Sequence, residues 1–221
     1  MKRAGYYPIF LDMTGRRCVV VGGGLVAQRK VTTLLACGAR VTVVSPEMTR
    51  RLAAYARQGR IRRVARRFTP RDLDGAWLAV AATDDQPVNE RVSRSAAAHR
   101  IFANVVDQKP LCSFIAPSIV RRGELTIAIS TAGGSPARAK KLRRDLGRLV
   151  GADYAKMLQL LKGLRGAAKR TLPTYKDRKR YFDRLVEGGR IFQLVRRGRT
   201  ASARREALAA LEHQRAGRNG S

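Results

Sequence analysis

Acidic residues are scarce in this sequence. Only 16 Asp and Glu stand against 46 Lys and Arg in 221 residues, which gives a formal net charge of +30 at pH 7. Such a surface attracts polyanions: nucleic acid, anionic lipid, or a small substrate that carries many carboxylates or phosphates. The basic residues are spread along the chain and form no separate tail, and aromatic residues, which would stack on bases, make up only 6%. These two features argue against nucleic acid as the partner.

Cysteines, long apolar runs and metal-ligand motifs are also lacking. The three cysteines, Cys18, Cys37 and Cys112, lie in apolar segments, and none belongs to a CxxC or to a Cys–His pair at ligand spacing. This disfavours a disulfide framework and a protein metal site, and it favours a reducing compartment. No apolar run approaches the roughly 20 residues of a membrane span, and no apolar segment follows the basic N-terminal residues as in a secretory signal. We therefore expect a cytoplasmic protein without a membrane partner.

Glycines and β-branched residues form a pattern typical of an α/β fold. An apolar run at 16–21 ends at three glycines, residues with helical apolar spacing follow, and a second apolar run spans 40–44. A strand, a glycine turn, a helix and a strand within about 30 residues make a βαβ unit. Further strands are predicted at 61–65, 77–82 and 102–106, and further helices at 46–58 and 89–99. The alternation predicts a Rossmann-type, doubly wound parallel sheet.

The pattern changes after Pro110. Two strands are predicted at 113–116 and 125–130, and the short link before the second favours an antiparallel pair. A helix is expected from 137 to about 150, and beyond it only helices, at 152–164, 175–187 and 201–213. We therefore predict three domains: a Rossmann-type domain at 1–112, a small α+β segment at 113–150 and a basic helical domain at 151–221.

The glycine turn has the spacing of a dinucleotide-binding motif. In Gly22-x-Gly24-x-x-Ala27 the glycines permit close approach of a diphosphate, which the N–H groups of the following helix would bind. The acidic residue that usually ends the second strand and binds the adenosine ribose is replaced by Ser45. Arg50 and Arg51 follow and could accept a 2′-phosphate. The residues alone leave NAD or NADP open, and a turn that holds nothing remains the alternative.

Six segments together resemble one known family. They read YPIFL at 7–11, VGGGLVAQRK at 21–30, AATDD at 81–85, NVVD at 104–107, FIAPS at 114–118 and STAGGSP at 130–136. This combination resembles the precorrin-2 dehydrogenase / sirohydrochlorin ferrochelatase family, which also forms the N-terminal half of siroheme synthase. The match covers about residues 6–150, and the helices beyond it match only loosely. We expect a stand-alone form that lacks the methyltransferase half of the fused enzymes.

The resemblance implies a reaction, a cofactor and an assembly. Family members oxidise precorrin-2, a reduced tetrapyrrole with eight carboxylates, to sirohydrochlorin with NAD, and some then insert ferrous iron to give siroheme. A basic protein suits such a substrate, because arginine binds carboxylates with two parallel hydrogen bonds. The resemblance also implies a homodimer in which the segment at 113–150 is exchanged.

The resemblance assigns roles to individual residues of this chain. Asp107, at the end of the predicted strand 102–106, matches the catalytic aspartate, and a partly buried carboxylate there could take the proton released on oxidation; a turn cap is its structural alternative. Thr131 and Ser135 are implied as substrate-binding, although Ser135 equally suits a plain helix cap. The glycine motif and the ends of the neighbouring strands predict nine residues that bind the cofactor: Gly22, Gly23, Gly24, Leu25, Val26, Ser45, Pro46, Glu47 and Thr83. A loop cap at Asp84 or Asp85 is the structural alternative for the segment that contains Thr83. No metal ligand is expected.

A second class of function uses the same fold without chemistry. The basic surface and the missing ribose acid are compatible with a nucleotide-sensing or nucleic-acid-associated module. Asp107 and the motifs that follow the other strands favour the enzyme. A turnover assay and a salt series of DNA binding would separate the two.

Overall fold

The computed structural model describes residues 5–219, with side chains described up to residue 216. Residues 1–4 and 220–221, which belong to the first and last predicted domains, lie outside the described residues. The chain forms two compact units that divide between Ala116 and Pro117. The first division was predicted four residues earlier, after residue 112, and the three-domain arrangement stays a prediction.

The first unit is an open parallel sheet of five strands. The strands are β1 (Arg17–Val21), β2 (Arg40–Val44), β3 (Ile61–Val64), β4 (Leu78–Ala81) and β5 (Phe102–Val105). The helices that connect them are α1 (Leu25–Ala36), α2 (Arg50–Arg57) and α3 (Gln86–Ala98). All pairs are parallel, in the order β3-β2-β1-β4-β5. This confirms the predicted Rossmann-type sheet.

Runs of valine form the central strands because both faces of the sheet are covered. In β1, Val20 packs with Val43 and with Val31 of α1, while Val19 and Val21 pack on the opposite face with the α3 side. All five are fully or almost fully buried. Complete burial of one valine side chain contributes about 1.5–3 kcal/mol, so the apolar runs determine which segments enter the sheet.

Two helices begin elsewhere than the sequence predicted, because their caps were misplaced. The helix predicted from residue 46 begins at Arg50, since the Thr49 side chain accepts a hydrogen bond from the Leu52 N–H at 3.3 Å. The helix predicted from residue 89 begins at Gln86, since the Asp85 carboxylate accepts from the Val88 N–H at 3.1 Å. Both caps satisfy N–H groups that a helix start leaves free.

The second unit begins with an antiparallel pair, β6 (Ser118–Arg122) and β7 (Leu125–Ile129), followed by α4 (Pro136–Leu149). The strand predicted at 113–116 is wrong. Ser113 instead bonds back to β5: its hydroxyl accepts from the Ala103 N–H at 2.7 Å, and its own N–H donates to the Ala103 carbonyl at 2.9 Å. These bonds attach residue 113 to β5, so it does not join the antiparallel pair. The first strand of that pair begins at Ser118 instead.

Four helices complete the second unit: α5 (Ala152–Thr171), α6 (Tyr175–Glu187), α7 (Arg190–Arg196) and α8 (Thr200–Asn219). They share an apolar core in which the buried Tyr181 donates a hydrogen bond to the Ala207 carbonyl at 2.8 Å. Three helices were predicted here. The α7 helix was missed because only eight residues lie between Gly189 and Gly198, and α5 and α8 run past their predicted ends.

Candidate functional site

Two glycines of the turn after β1 are required by the fold itself. Gly22 has φ of +116°, and a Cβ there would lie 2.2 Å from the Ala82 carbonyl oxygen. A Cβ on Gly23 would lie 1.9 Å from the Glu47 carbonyl oxygen. The Gly23 carbonyl also accepts a hydrogen bond from the Thr49 N–H at 2.9 Å. The turn is therefore clamped between the loops that follow β2 and β4.

Gly24 is different, because nothing in the described chain requires it to be glycine. Its φ of −77° suits any residue, and a Cβ there would meet no atom within 4 Å. Gly24 is the N-cap of α1, no side chain caps this helix, and its first turn holds no acidic residue. The free N–H groups and the positive end of the helix dipole favour an anion at this position. An open cradle with no Cβ fits the diphosphate of a dinucleotide.

A pocket of about 620 Å³ opens beside this turn, within the first unit. It lies at the carboxyl ends of the strands, where open α/β sheets bind ligands. The nine residues predicted to bind the cofactor all line it: Gly22, Gly23, Gly24, Leu25, Val26, Ser45, Pro46, Glu47 and Thr83. Their roles stay predictions, but the structure brings all nine to one pocket.

The basic side of the pocket is formed by residues that sequence reasoning missed. Arg66 and Arg67, in the loop after β3, line the pocket, whereas Arg50 and Arg51 do not. Arg51 instead donates from Nε to the Tyr55 hydroxyl at 3.0 Å. The signal in the sequence was the strongly basic segment around β3, which was predicted as a strand without a role.

Arg66 is held in a fixed orientation by Asp72. Its two terminal nitrogens donate to the two oxygens of the Asp72 carboxylate, at 2.8 and 2.7 Å, and the Thr69 N–H donates to the same carboxylate at 2.8 Å. Burial on its own raises the pKa of Asp72, but the Arg66 and Thr69 hydrogen bonds and the Arg66 charge outweigh it and bring that pKa below its ordinary value. The pair is therefore charged at neutral pH.

The acidic side of the pocket lies after β4. Thr83, Asp84 and Asp85 line it, and Asp84 is exposed. Asp85 is used as the cap of α3, and the Thr83 hydroxyl accepts from the Asp85 N–H at 3.0 Å. The buried Asn89 fastens the loop by donating to the Thr83 carbonyl at 2.9 Å. The positive charges of the pocket thus come from the loop after β3, and its carboxylates come from the loop after β4 and from Glu47 after β2.

Asp107 follows β5 and lies on the same edge of the sheet, but it does not line the pocket. Its φ is +58°, a left-handed conformation that aspartate tolerates better than most residues. The Asp107 side chain is exposed, so the prediction that its carboxylate is partly buried is wrong. Asp107 does not cap the following turn, Lys109–Leu111. The N-cap of that turn is Gln108, whose side chain forms no capping hydrogen bond.

A half-buried lysine lies next to Asp107. Lys30 of α1 donates to the Asn104 side-chain oxygen at 3.2 Å, and Asn104, which is buried, donates in turn to the Phe114 carbonyl at 3.2 Å. Burial lowers the pKa of Lys30, while the neighbouring Cys112 and Asp107 oppose that shift. The hydrogen bonds of Asn104 place it as the support that holds Lys30.

The two hydroxyl residues predicted in the second unit are engaged in a helix start. Ser135 is the N-cap of α4 and accepts from the Arg138 N–H at 3.2 Å. The Thr131 hydroxyl accepts from the Ser135 N–H at 3.2 Å and donates to the Ser135 carbonyl at 3.1 Å. The capped-helix interpretation accounts for these contacts, and the substrate role of both residues stays a prediction.

The described residues contain neither a membrane-spanning helix nor a metal-binding cluster of side chains. No helix among them is both long and apolar enough to cross a membrane. No group of three or more His, Cys, Asp or Glu side chains in this part of the chain is arranged to hold a metal ion.

The sheet order, the glycine turn and the pocket at the strand ends define a dinucleotide-binding protein of the Rossmann type. A family model described as putative NAD(P)-binding matches residues 9–118, and one described as the sirohaem synthase dimerisation region matches residues 153–211. The dimerisation model thus covers helices α5–α8, whereas the dimerisation segment was predicted at 113–150, an assignment that stays a prediction.

Individual relatives narrow the class to one family. The siroheme synthase of Methylobacillus flagellatus is 45% identical over 82% of this chain and 39% of its own length, and that of Thioalkalivibrio sulfidiphilus is 40% identical over 94% and 42%. The solved structure of SirC, a precorrin-2 dehydrogenase, covers 94% of this chain and all of its own with a TM-score of 0.77 at 27% identity. The chain belongs to the family formed by the N-terminal, precorrin-2 dehydrogenase/chelatase region of siroheme synthase. It spans less than half the length of the siroheme synthases it matches.

Proposed function

We propose that this protein oxidises precorrin-2 to sirohydrochlorin with NAD, in the synthesis of siroheme. The observation that carries the proposal is the similarity to SirC over the whole of that protein, together with a pocket whose glycine cradle fits a diphosphate. A sensing module would need the pocket but not a carboxylate beside it. Asp107 and its lysine neighbour on the same edge of the sheet favour chemistry there.

The residues of the chain divide the work of the reaction. Oxidation removes a hydride and a proton from the macrocycle, and NAD, when bound, accepts the hydride. The Asp107 carboxylate is the group that takes the proton, since it is exposed to a substrate and forms no hydrogen bond within the described chain that would occupy it. Lys30 lies beside it and adds a positive charge at this edge of the sheet. The N–H groups at the start of α1 hold the diphosphate.

Variants of Asp107 test this division. Asp107→Asn should abolish sirohydrochlorin formation, followed by absorbance, while calorimetry still detects NAD binding, because Asp107 does not line the nucleotide pocket. The matched control is Asp74→Asn, an exposed carboxylate in the loop before β4 whose partner is His99 at 3.1 Å. Unchanged turnover in Asp107→Asn would remove Asp107 from the mechanism.

Insertion of ferrous iron into sirohydrochlorin is a second candidate activity. The insertion releases two pyrrole protons and involves no nucleotide. Asp107 stands outside the nucleotide pocket, so it is available for proton transfer when no dinucleotide takes part. Wild-type protein mixed with sirohydrochlorin and ferrous iron, without NAD, should form siroheme faster than Asp107→Asn. Equal rates in the two proteins would contradict this activity.

A homodimer is the assembly we propose. The residues matched by the dimerisation model carry apolar side chains on their surface: Tyr175 is 75% exposed and Val186 is 56% exposed. Light scattering should give twice the chain mass of 24.4 kDa over a range of concentrations. The mass of a single chain at high concentration would contradict the dimer.

A further inference from the structure

We propose that the pocket accepts NADP as well as NAD, through a 2′-phosphate subsite formed by Arg66 and Arg67. The inference rests on the proposed function, because it concerns the adenosine end of the same nucleotide pocket. It goes beyond that function by naming the residues that determine cofactor choice. Three observations of the first unit support it, and one carboxylate opposes it.

The residue that usually rejects a 2′-phosphate is absent. In NAD-specific Rossmann proteins an acidic side chain, about 20 residues after the glycine turn, binds the ribose hydroxyls and repels the extra phosphate. Ser45 stands at this place, directly after β2. It is buried, and its N–H donates to the Val64 carbonyl at 3.1 Å, which joins the end of β2 to the end of β3.

Arginines reach the pocket from the neighbouring strand. Parallel pairing of β2 with β3 places Val64 opposite Val44, so the loop after β3 leaves the sheet beside Ser45. Arg66 and Arg67 in that loop both line the pocket. Arg63 adds a third positive charge at this end, where its guanidinium donates to the Pro46 carbonyl at 3.0 Å.

The two lining arginines differ in their partners. Arg66 is fixed by the two-point contact with Asp72, so its position is set before a ligand arrives. Arg67 is exposed, and none of the described carboxylates pairs with it. Arg67 therefore supplies a positive charge that no carboxylate neutralises. Arg66 supplies N–H donors in a fixed position, and the two together suit a phosphate dianion.

One carboxylate opposes this subsite. Glu47 is exposed and lines the same end of the pocket. It can accept from ribose hydroxyls in NAD, and it repels a 2′-phosphate. Asp72 neutralises Arg66, so the charges of Arg63 and Arg67 stand against that of Glu47. We therefore expect the two cofactors to bind with dissociation constants within about tenfold of each other, which corresponds to 1.4 kcal/mol.

The test measures binding without turnover, on the full chain. NAD, NADP, 5′-AMP and adenosine 2′,5′-bisphosphate are each titrated by calorimetry at low and at physiological salt. The wild-type protein should bind the bisphosphate more tightly than 5′-AMP, and salt should weaken the bisphosphate more, since the added contacts are ionic.

Three variants assign the subsite. Arg67→Gln should weaken NADP and the bisphosphate about tenfold, the size of one charge-assisted hydrogen bond, and leave NAD within about twofold. Glu47→Gln should shift the NADP to NAD affinity ratio in the opposite direction. Arg62→Gln is the matched control, since Arg62 is an exposed residue of β3 that does not line the pocket, and it should leave the ratio unchanged.

The outcomes separate this inference from the proposed function. Binding of NAD with NADP more than about 100-fold weaker would overturn the subsite and leave the dehydrogenase proposal standing. An Arg67→Gln protein with an unchanged ratio would also overturn it. Failure of the wild-type protein to bind any of the four nucleotides would remove the pocket assignment, and with it both proposals.

Discussion

Replacement of Gly24 by alanine separates ligand binding from folding. The backbone at Gly24 has φ of −77° and ψ of −173°, which alanine adopts without strain, and the new Cβ would meet no protein atom within 4 Å. Alanine restricts the unfolded chain more than glycine does, which stabilises the folded protein by about 0.4–1 kcal/mol. Alanine is also a poorer N-cap than glycine, which destabilises the folded protein by a similar amount. We therefore expect the free energy of unfolding to change by less than about 0.5 kcal/mol.

Nucleotide binding should respond very differently. The Cβ would stand in the open cradle where the diphosphate approaches the first N–H groups of α1, so the ligand must move back and lose those hydrogen bonds. We expect a 10- to 100-fold loss of NAD affinity, about 1.4–2.8 kcal/mol. Gly24→Asp should abolish binding, because it adds bulk and a negative charge beside the diphosphate.

Gly23→Ala is the contrasting variant. Its Cβ would lie 1.9 Å from the Glu47 carbonyl oxygen, so the backbone must shift. Overpacking of this kind costs about 1–3 kcal/mol, and thermal unfolding should detect it. The measurements are NAD calorimetry and thermal unfolding of both variants. A Gly24→Ala protein that binds NAD within twofold of wild type would refute the placement of the diphosphate.

Three further predictions concern stability. Asp72→Asn should cost about 1–3 kcal/mol at pH 7 by leaving Arg66 without its partner. Because the folded pKa of Asp72 is lowered, the wild-type advantage should be complete above the ordinary pKa near 3.8 and should be lost gradually as the pH falls from there through the lowered folded pKa. A difference in urea unfolding that is independent of pH would contradict this. Ser135→Ala should cost about 1 kcal/mol in urea unfolding without changing NAD affinity, since it removes only the α4 cap, and weaker NAD binding would contradict that separation. Tyr181→Phe should cost about 1 kcal/mol by removing the buried hydrogen bond from the hydroxyl to the Ala207 carbonyl, and an unchanged thermal midpoint would be the contrary result.

The sheet could be predicted from the sequence because local patterns determine it. Valine-rich runs at 18–21 and 41–44 predict buried parallel strands, and the glycine turn between them locates the ligand. The strand at 113–116 was wrong for a tertiary reason: the hydroxyl of Ser113 replaces a ladder bond to Ala103. Apolar spacing carries no information on such a bond.

The site was predictable only in part. The glycine motif predicts the pocket residues that belong to the turn itself, such as Gly22 and Gly24. Arg66 and Arg67 do not, because their position depends on the pairing of β3 with β2, which brings together segments about 20 residues apart. The exposure of Asp107 likewise depends on how the chain leaves β5, with φ of +58°.

The stoichiometry of the reaction tests the central claim most directly. Wild-type protein, precorrin-2 and NAD are mixed without oxygen, and NADH and sirohydrochlorin are measured in the same sample. The account predicts one NADH for each sirohydrochlorin, with no product when NAD is omitted. Sirohydrochlorin formed at the same rate without NAD, or NAD bound with no oxidation at any concentration, would contradict it.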